Sequence, residues 1–236
     1  IEKACWRYVN HLITVSDGIC DWYQCNLAPK PSSIVMNAPV VDVDAPIDKG
    51  NESYYREKFG IPVSATIFLF LGNLCNGRCI EAILDAFMED QSGSHVVFMG
   101  DGPLKSHILQ AVESCSRVHL HDPVPHKRVV QVASSADIGI CLIEPSCLSY
   151  RHCLPNKLFE YAFADLPVLA SKLPDIERVV GRHKLGRCCD QTKDDLAGEI
   201  ADIARQKPIF EGVDLYDLSW DRQAITLQDL YRTLID

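Results

Sequence analysis

The sequence predicts a doubly wound α/β domain built on a parallel sheet. Short apolar runs recur between residues 66 and 170, each is followed by a stretch with helical spacing, and the runs are apolar throughout rather than alternating. Strands of that kind are covered on both faces, which is the arrangement that right-handed strand–helix–strand crossovers produce.

In order, strands are expected at residues 66–71, 95–99, 118–120, 138–142 and 167–170. Helices are expected at 78–87, 103–114, 127–134, 156–164 and from about residue 176. Ahead of this series, 5–12 is helix-like, 12–16 is a short apolar run, 20–26 is a second helix candidate and 33–36 a second short strand, two strand–helix repeats too small for a core of their own. Residues 37–51, with Pro39, Pro46, Gly50 and several Asp, follow neither period and read as a linker. The tail, 218–235, sets Trp220, Ala224, Leu227, Leu230, Tyr231 and Leu234 at helical spacing and needs an apolar surface to lie on.

Composition narrows the function. Against 32 acidic residues there are only 23 Lys and Arg, a net charge of −9, which argues against a nucleic-acid backbone or an anionic membrane as the main partner. No apolar run approaches the roughly 20 residues that span a bilayer, and residues 1–10, with Glu2, Lys3 and Arg7, do not read as a signal peptide. The first residue is not Met, so a piece of a longer chain is expected. Eleven Cys is an odd number without a CxxC pair, and no His or Cys stands at zinc spacing from Cys75 and Cys79 or from Cys188 and Cys189. Reduced thiols packed as small hydrophobes, in a cytoplasmic protein, are the expectation. No metal site is expected either, since the Asp42 and Asp44 pair sits in the linker rather than after a strand.

Ligands of doubly wound sheets lie at the carboxyl ends of the strands, so the strand-to-helix loops are where chemistry is sought. Gly72-Asn73-Leu74-Cys75-Asn76-Gly77-Arg78 offers small residues for close backbone approach and an Arg fork for a diphosphate, though an ordinary turn with a solvated Arg has the same pattern. Gly100-Asp101-Gly102-Pro103 is a sharp turn that would let a second loop come close; it is equally a good turn and nothing more. In residues 121–125, the backbone at Val124 and Pro125 could line a flat base pocket, though a plain surface loop has the same pattern. In Leu154-Pro155-Asn156-Lys157-Leu158-Phe159-Glu160-Tyr161, Pro155 and Asn156 open a helix and Glu160 falls on the same face as Asn156, where a carboxylate can accept from both hydroxyls of a ribose. A Glu so near a helix start also serves as a dipole or salt-bridge residue.

Taken in order, GNLCNGR, GDGP and LPNKLFEYAFADLPVLAS resemble the donor-binding, C-terminal domain of group 1 glycosyltransferases, the glycogen-synthase-like retaining family of GT-B fold, over about residues 68–203. LITVSDGI and SIVMNAPV are similar to the last strands of that family's N-terminal acceptor domain, and the Trp-containing tail to its crossover helix. The resemblance implies one Rossmann-like half of a GT-B fold plus the tail of the other. Residues 1–41 would be the remnant of the acceptor domain, 42–60 a linker, 61–217 the nucleotide-sugar-binding domain and 218–236 the helix packing back.

Carried over by position, the resemblance places Gly72 and Asn73 beside the donor phosphates, with Gly100 and Gly102 in the next loop, and makes Arg78 a diphosphate ligand. Val124 and Pro125 would neighbour the base, Asn156, Lys157 and Leu158 would meet the phosphate through the helix amides, and Glu160 would hold the ribose. Arg78 and Lys157 would stabilise the leaving diphosphate. The family often carries a Glu eight residues before the second one, touching the transferred sugar; here that position is His152. The implied activity is retaining transfer from a UDP- or GDP-linked sugar to a glycan, lipid-linked or small-molecule acceptor, in polysaccharide biosynthesis, without a further cofactor. It would depend on the missing N-terminal domain of the same protein and take place in the cytoplasm or at the inner membrane surface, and this piece alone would turn over poorly. The alternatives are a GT-B-shaped sugar-nucleotide epimerase or phosphorylase and a non-catalytic nucleotide-sugar-binding protein.

Overall fold

In the computed structural model, which describes residues 2–40, 53–208, 210 and 214–235, the chain opens with α1 (Glu2–Cys5) and a 3-10 turn at Trp6–Tyr8. Then come β1 (Leu12–Thr14), α2 (Asp17–Asn26) and β2 (Ser32–Ile34). The strands β1 and β2 pair in parallel as a small separate sheet. Ser16 starts α2 by accepting from the Ile19 N–H, one of the amides that no helical carbonyl reaches.

The main sheet has six parallel strands, β3 (Ile67–Leu71), β4 (His95–Met99), β5 (Val118–His121), β6 (Ile138–Cys141), β7 (Val168–Ser171) and β8 (Gly186–Cys189). Their spatial order is β5-β4-β3-β6-β7-β8. The chain leaves β3 in one direction and returns to its other side at β6, so the topological switch lies between those two strands. β3, β4, β6 and β7 are buried at every position, as strands covered on both faces must be. One apolar cluster, around Leu69, Tyr161 and Leu158, fills one face. A second, around Phe68, Phe98 and Ile83, fills the other.

The helices of this domain are α4 (Ile80–Glu89), α5 (Lys105–Ser114), α6 (Val129–Ala133), α7 (Leu148–Arg151), α8 (Asn156–Phe163), α9 (Pro174–His183) and α10 (Lys193–Arg205). α4 begins later than the spacing predicts because Cys79 is in the left-handed region, with φ of 55°. The helix expected at 127–134 opens as a 3-10 turn, His126–Arg128, before α6.

Of the stretch given to a linker, residues 42–52 lie outside the described residues. Its end is a helix, α3 (Tyr54–Phe59), closed by Gly60 at φ 66°, and Tyr55 within it is fully buried against the sheet. Residues 54–60 therefore belong to the domain, because a Tyr ring excluded from water anchors them.

The tail forms a 3-10 turn, Tyr216–Leu218, and α11 (Trp220–Ile235). α11 reaches the N-terminal segment at its start: the Met36 N–H donates to Gln223 Oε1 at 2.9 Å and the Trp220 N–H to the Pro39 carbonyl at 3.2 Å. The same segment meets the domain where the Gly18 N–H donates to Asp175 Oδ1 at 2.8 Å and Ser16 Oγ donates to the His152 carbonyl at 2.9 Å.

One side chain fixes α8 against the sheet. The Tyr161 hydroxyl accepts from the Leu71 N–H at 2.9 Å and shares its proton between the carbonyls of Leu69 at 2.8 Å and Ile140 at 3.1 Å. β3 and β6 pair only as far as Phe70 and Ile140, so the hydroxyl occupies the place where the ladder ends. Gly139 admits the ring: a Cβ there would stand 2.3 Å from Tyr161 Cγ. Tyr161→Phe strands these backbone groups in a dry interior, and a loss of about 1–3 kcal/mol in urea unfolding is expected. An unchanged midpoint would show that the groups find other partners.

Candidate functional site

Three consecutive strand ends build one cleft. The β3–α4 loop supplies Gly72 and Asn73, the β4–α5 loop Gly100 and Asp101, and the segment after β5 Pro123 and Val124, with Leu71 and Met99 as the floor and Val129 and Glu160 on the far wall. Its volume is about 260 Å³. The first two loops touch because residue 100 is Gly: a Cβ there would lie 1.9 Å from the Gly72 carbonyl oxygen. The pair is tied by the Leu74 N–H donating to the Asp101 carbonyl at 2.9 Å.

Glu160 is held at the cleft by α8. Its side chain is 14% exposed, and among the described residues its carboxylate accepts no hydrogen bond; His126 Nε2 is the nearest ionisable partner, at 3.7 Å. Burial raises its pKa above the ordinary 4.5, while the charges of His126 and Lys157 pull it back. A carboxylate with open lone pairs facing a cleft is a ready acceptor for hydroxyl donors.

The sequence-predicted residues thus fall into two groups. Gly72, Asn73, Gly100, Val124 and Glu160 line the cleft together. Gly102 does not; it packs on the first loop, where a Cβ would stand 2.5 Å from the Leu74 carbonyl oxygen. Pro125 caps the following 3-10 turn, and Pro123 takes the cleft position instead. Asn156 Oδ1 accepts from Asn37 Nδ2 at 2.9 Å, a contact with the N-terminal segment. Leu158 is fully buried in the core, which leaves only its backbone for a ligand.

The two expected cations lie away from the cleft lining. Lys157 points inward: its Nζ is buried, without a hydrogen-bond partner among the described residues, 3.9 Å from the Phe70 ring centroid. Burial lowers its pKa, and the nearby charge of Arg78 lowers it further. Arg78 lies over the face of Tyr150, with Cζ 5.0 Å from the ring centroid. His152 also faces elsewhere: its Nδ1 is 3.0 Å from Asp175 Oδ2.

Sequence reasoning did not single out Met99, Pro123, Val129 or His126. Asp101 stood inside the GDGP loop and Pro123 inside the 121–125 loop, where each could have been found; Met99, Val129 and His126 carry no local signal. All eleven cysteines are free, and burial pushes the thiols of Cys79 and Cys141 up to about 12 and about 11. Thiols so placed stay protonated and pack as apolar groups. No helix among the described residues is long and apolar enough to cross a membrane.

The profile of the family described as "Glycosyl transferases group 1" matches residues 65–206, which cover the whole six-stranded sheet and its strand-end cleft. The chain belongs to this family of glycosyltransferases. A relative in Bacillus subtilis (strain 168), TuaC, named as a teichuronic acid biosynthesis glycosyltransferase, is 24% identical over 139 residues, 58% of this chain and 33% of the relative. Among solved structures, the sucrose-phosphate synthase of Thermosynechococcus elongatus superposes with a TM-score of 0.78 at 18% identity, over 99% of this chain and 60% of that one. HepE of Anabaena, solved in complex with UDP and glucose, superposes with a TM-score of 0.72 at 14% identity, over 95% and 65%. At such identities the superpositions speak for the fold, a GT-B glycosyltransferase half with a Rossmann-like parallel sheet. The chain spans about a third of the curated relative's length and less than two thirds of the solved ones.

Proposed function

We propose that this chain is the donor half of a retaining glycosyltransferase that binds a nucleotide-sugar. The observation that carries the reading is Glu160, a largely buried carboxylate without a hydrogen-bond partner among the described residues, opening into a cleft at the ends of β3, β4 and β5. It would accept from the two ribose hydroxyls, Val124 would flank the base, and Gly72 and Asn73 would lie beside the diphosphate. Family membership and the UDP-bound HepE neighbour favour such a ligand.

In transfer, the bond from the anomeric carbon to the diphosphate breaks and negative charge gathers on the leaving oxygen. Arg78 and the amides at the start of α8 are the groups that would stabilise it, and fixed donors in a water-poor site are worth more than the same donors in water. The acceptor, of glycan, lipid-linked or small-molecule type, would be bound by a further part of the protein. The name of TuaC points to polysaccharide biosynthesis.

Calorimetric titration of the 236-residue chain with UDP and with GDP tests the reading. Saturable heat with one of them is expected; no heat with either would sink it. Release of free sugar-nucleotide isomer without an acceptor would instead assign an epimerase.

A further inference from the structure

Arg78 ends the β3–α4 loop half-buried and, among the described residues, makes no hydrogen bond or ion pair. Among the described residues it lies over the face of Tyr150 on α7. That contact is built from both sides. Gly77, at φ 81°, leaves room for the ring: a Cβ there would be 2.6 Å from Tyr150 Cε2. The Glu144 N–H donates to the Gly77 carbonyl at 3.1 Å, so the chain leading to α7 is clipped to the loop that carries Arg78. Tyr150 itself packs on the apolar cluster that includes Leu154 and Leu158, which fixes the ring from behind.

A guanidinium stacked on an aromatic face keeps all five N–H donors in its plane and open to an anion, while losing side-chain freedom in advance. Lys157 lies near enough to Arg78 for the two charges to repel, so two cationic side chains share this corner of the domain. The ring offers the negative face that holds one of them in place until an anion arrives.

We propose that Tyr150 is a positioning residue for the donor diphosphate, acting by holding the Arg78 guanidinium over its ring. This rests on the reading of Arg78 as a diphosphate ligand.

The test is a calorimetric cycle on the 236-residue chain with UDP or GDP, whichever binds, and with the matching nucleoside, using Tyr150→Phe, Tyr150→Leu, Arg78→Ala and the Arg78→Ala/Tyr150→Leu double variant. Tyr150→Leu is expected to weaken the diphosphate about fivefold, the size of a partly desolvated cation–π contact. Tyr150→Phe should keep affinity within about twofold. Nucleoside affinity should be unmoved, and Tyr150→Leu should cost nothing further once Arg78 is Ala. Tyr150→Met, closer to the ring in length, replaces Tyr150→Leu where the latter does not fold. Equal losses for Phe and Leu, an equal loss of nucleoside, or an undiminished loss in the Arg78→Ala background would each overturn the proposal. If Arg78→Ala alone binds diphosphate as the wild type does, the phosphate role of Arg78 fails first, and the proposal with it.

Discussion

Glu160→Ala is expected to weaken nucleoside diphosphate binding by one to two orders of magnitude, because a charged acceptor contributes about 1.5–3 kcal/mol to its hydrogen bonds. Glu160→Gln should lose part of that affinity and yet melt at a higher temperature than the wild type. The sign follows from burial. The folded-state pKa is raised above 4.5, so the protonated form is the one the fold favours. That favour is fully present below the unfolded value and is lost as pH rises through the folded pKa. The stability advantage of Glu160→Gln should therefore be small near pH 4.5 and grow with pH until Glu160 is ionised in the folded state. Thermal melts of both proteins across this range, paired with calorimetry, measure the two effects separately. A Gln variant that is less stable at neutral pH would make Glu160 a structural residue.

Lys157→Met is expected to raise stability by about 1–3 kcal/mol in urea unfolding. An ammonium buried without a partner is a cost to the fold, and a thioether of similar length fits over Phe70 without it. The folded pKa lies below 10.5, so the stability linked to this group is present above 10.5 and lost as pH falls through the folded value. The gap between Lys157→Met and wild type should be small above pH 10.5 and widen as pH falls through the folded value. Destabilisation by Lys157→Met would show that the ammonium anchors the core.

The sheet was legible because its strands carry their burial in their composition: Ile67–Leu71 and His95–Met99 are apolar runs that no half-exposed strand would tolerate. β8 was not, since Gly186-Arg187-Cys188-Cys189 is a half-buried edge without an apolar run. α7 escaped because four residues are too few for a period, and α3 because its hold on the domain is a single ring, Tyr55. At the site, Glu160 and the two glycine loops could be named from order along the chain, whereas the inward turn of Lys157 could not. A Lys in a sequence is by default solvated, and only the packing of α8 on Phe70 shows otherwise.

Tyr161, one residue beyond Glu160, sets a limit on how the cleft can work. Sliding or rolling α8 would pull its hydroxyl from Leu71, Leu69 and Ile140 at the parting of β3 and β6, breaking these hydrogen bonds where water does not reach. The helix is thus a fixed anvil. Adjustment to cargo of different size falls to the loops that face it, and directed evolution aimed at new sugars would find its freedom there rather than in the helix.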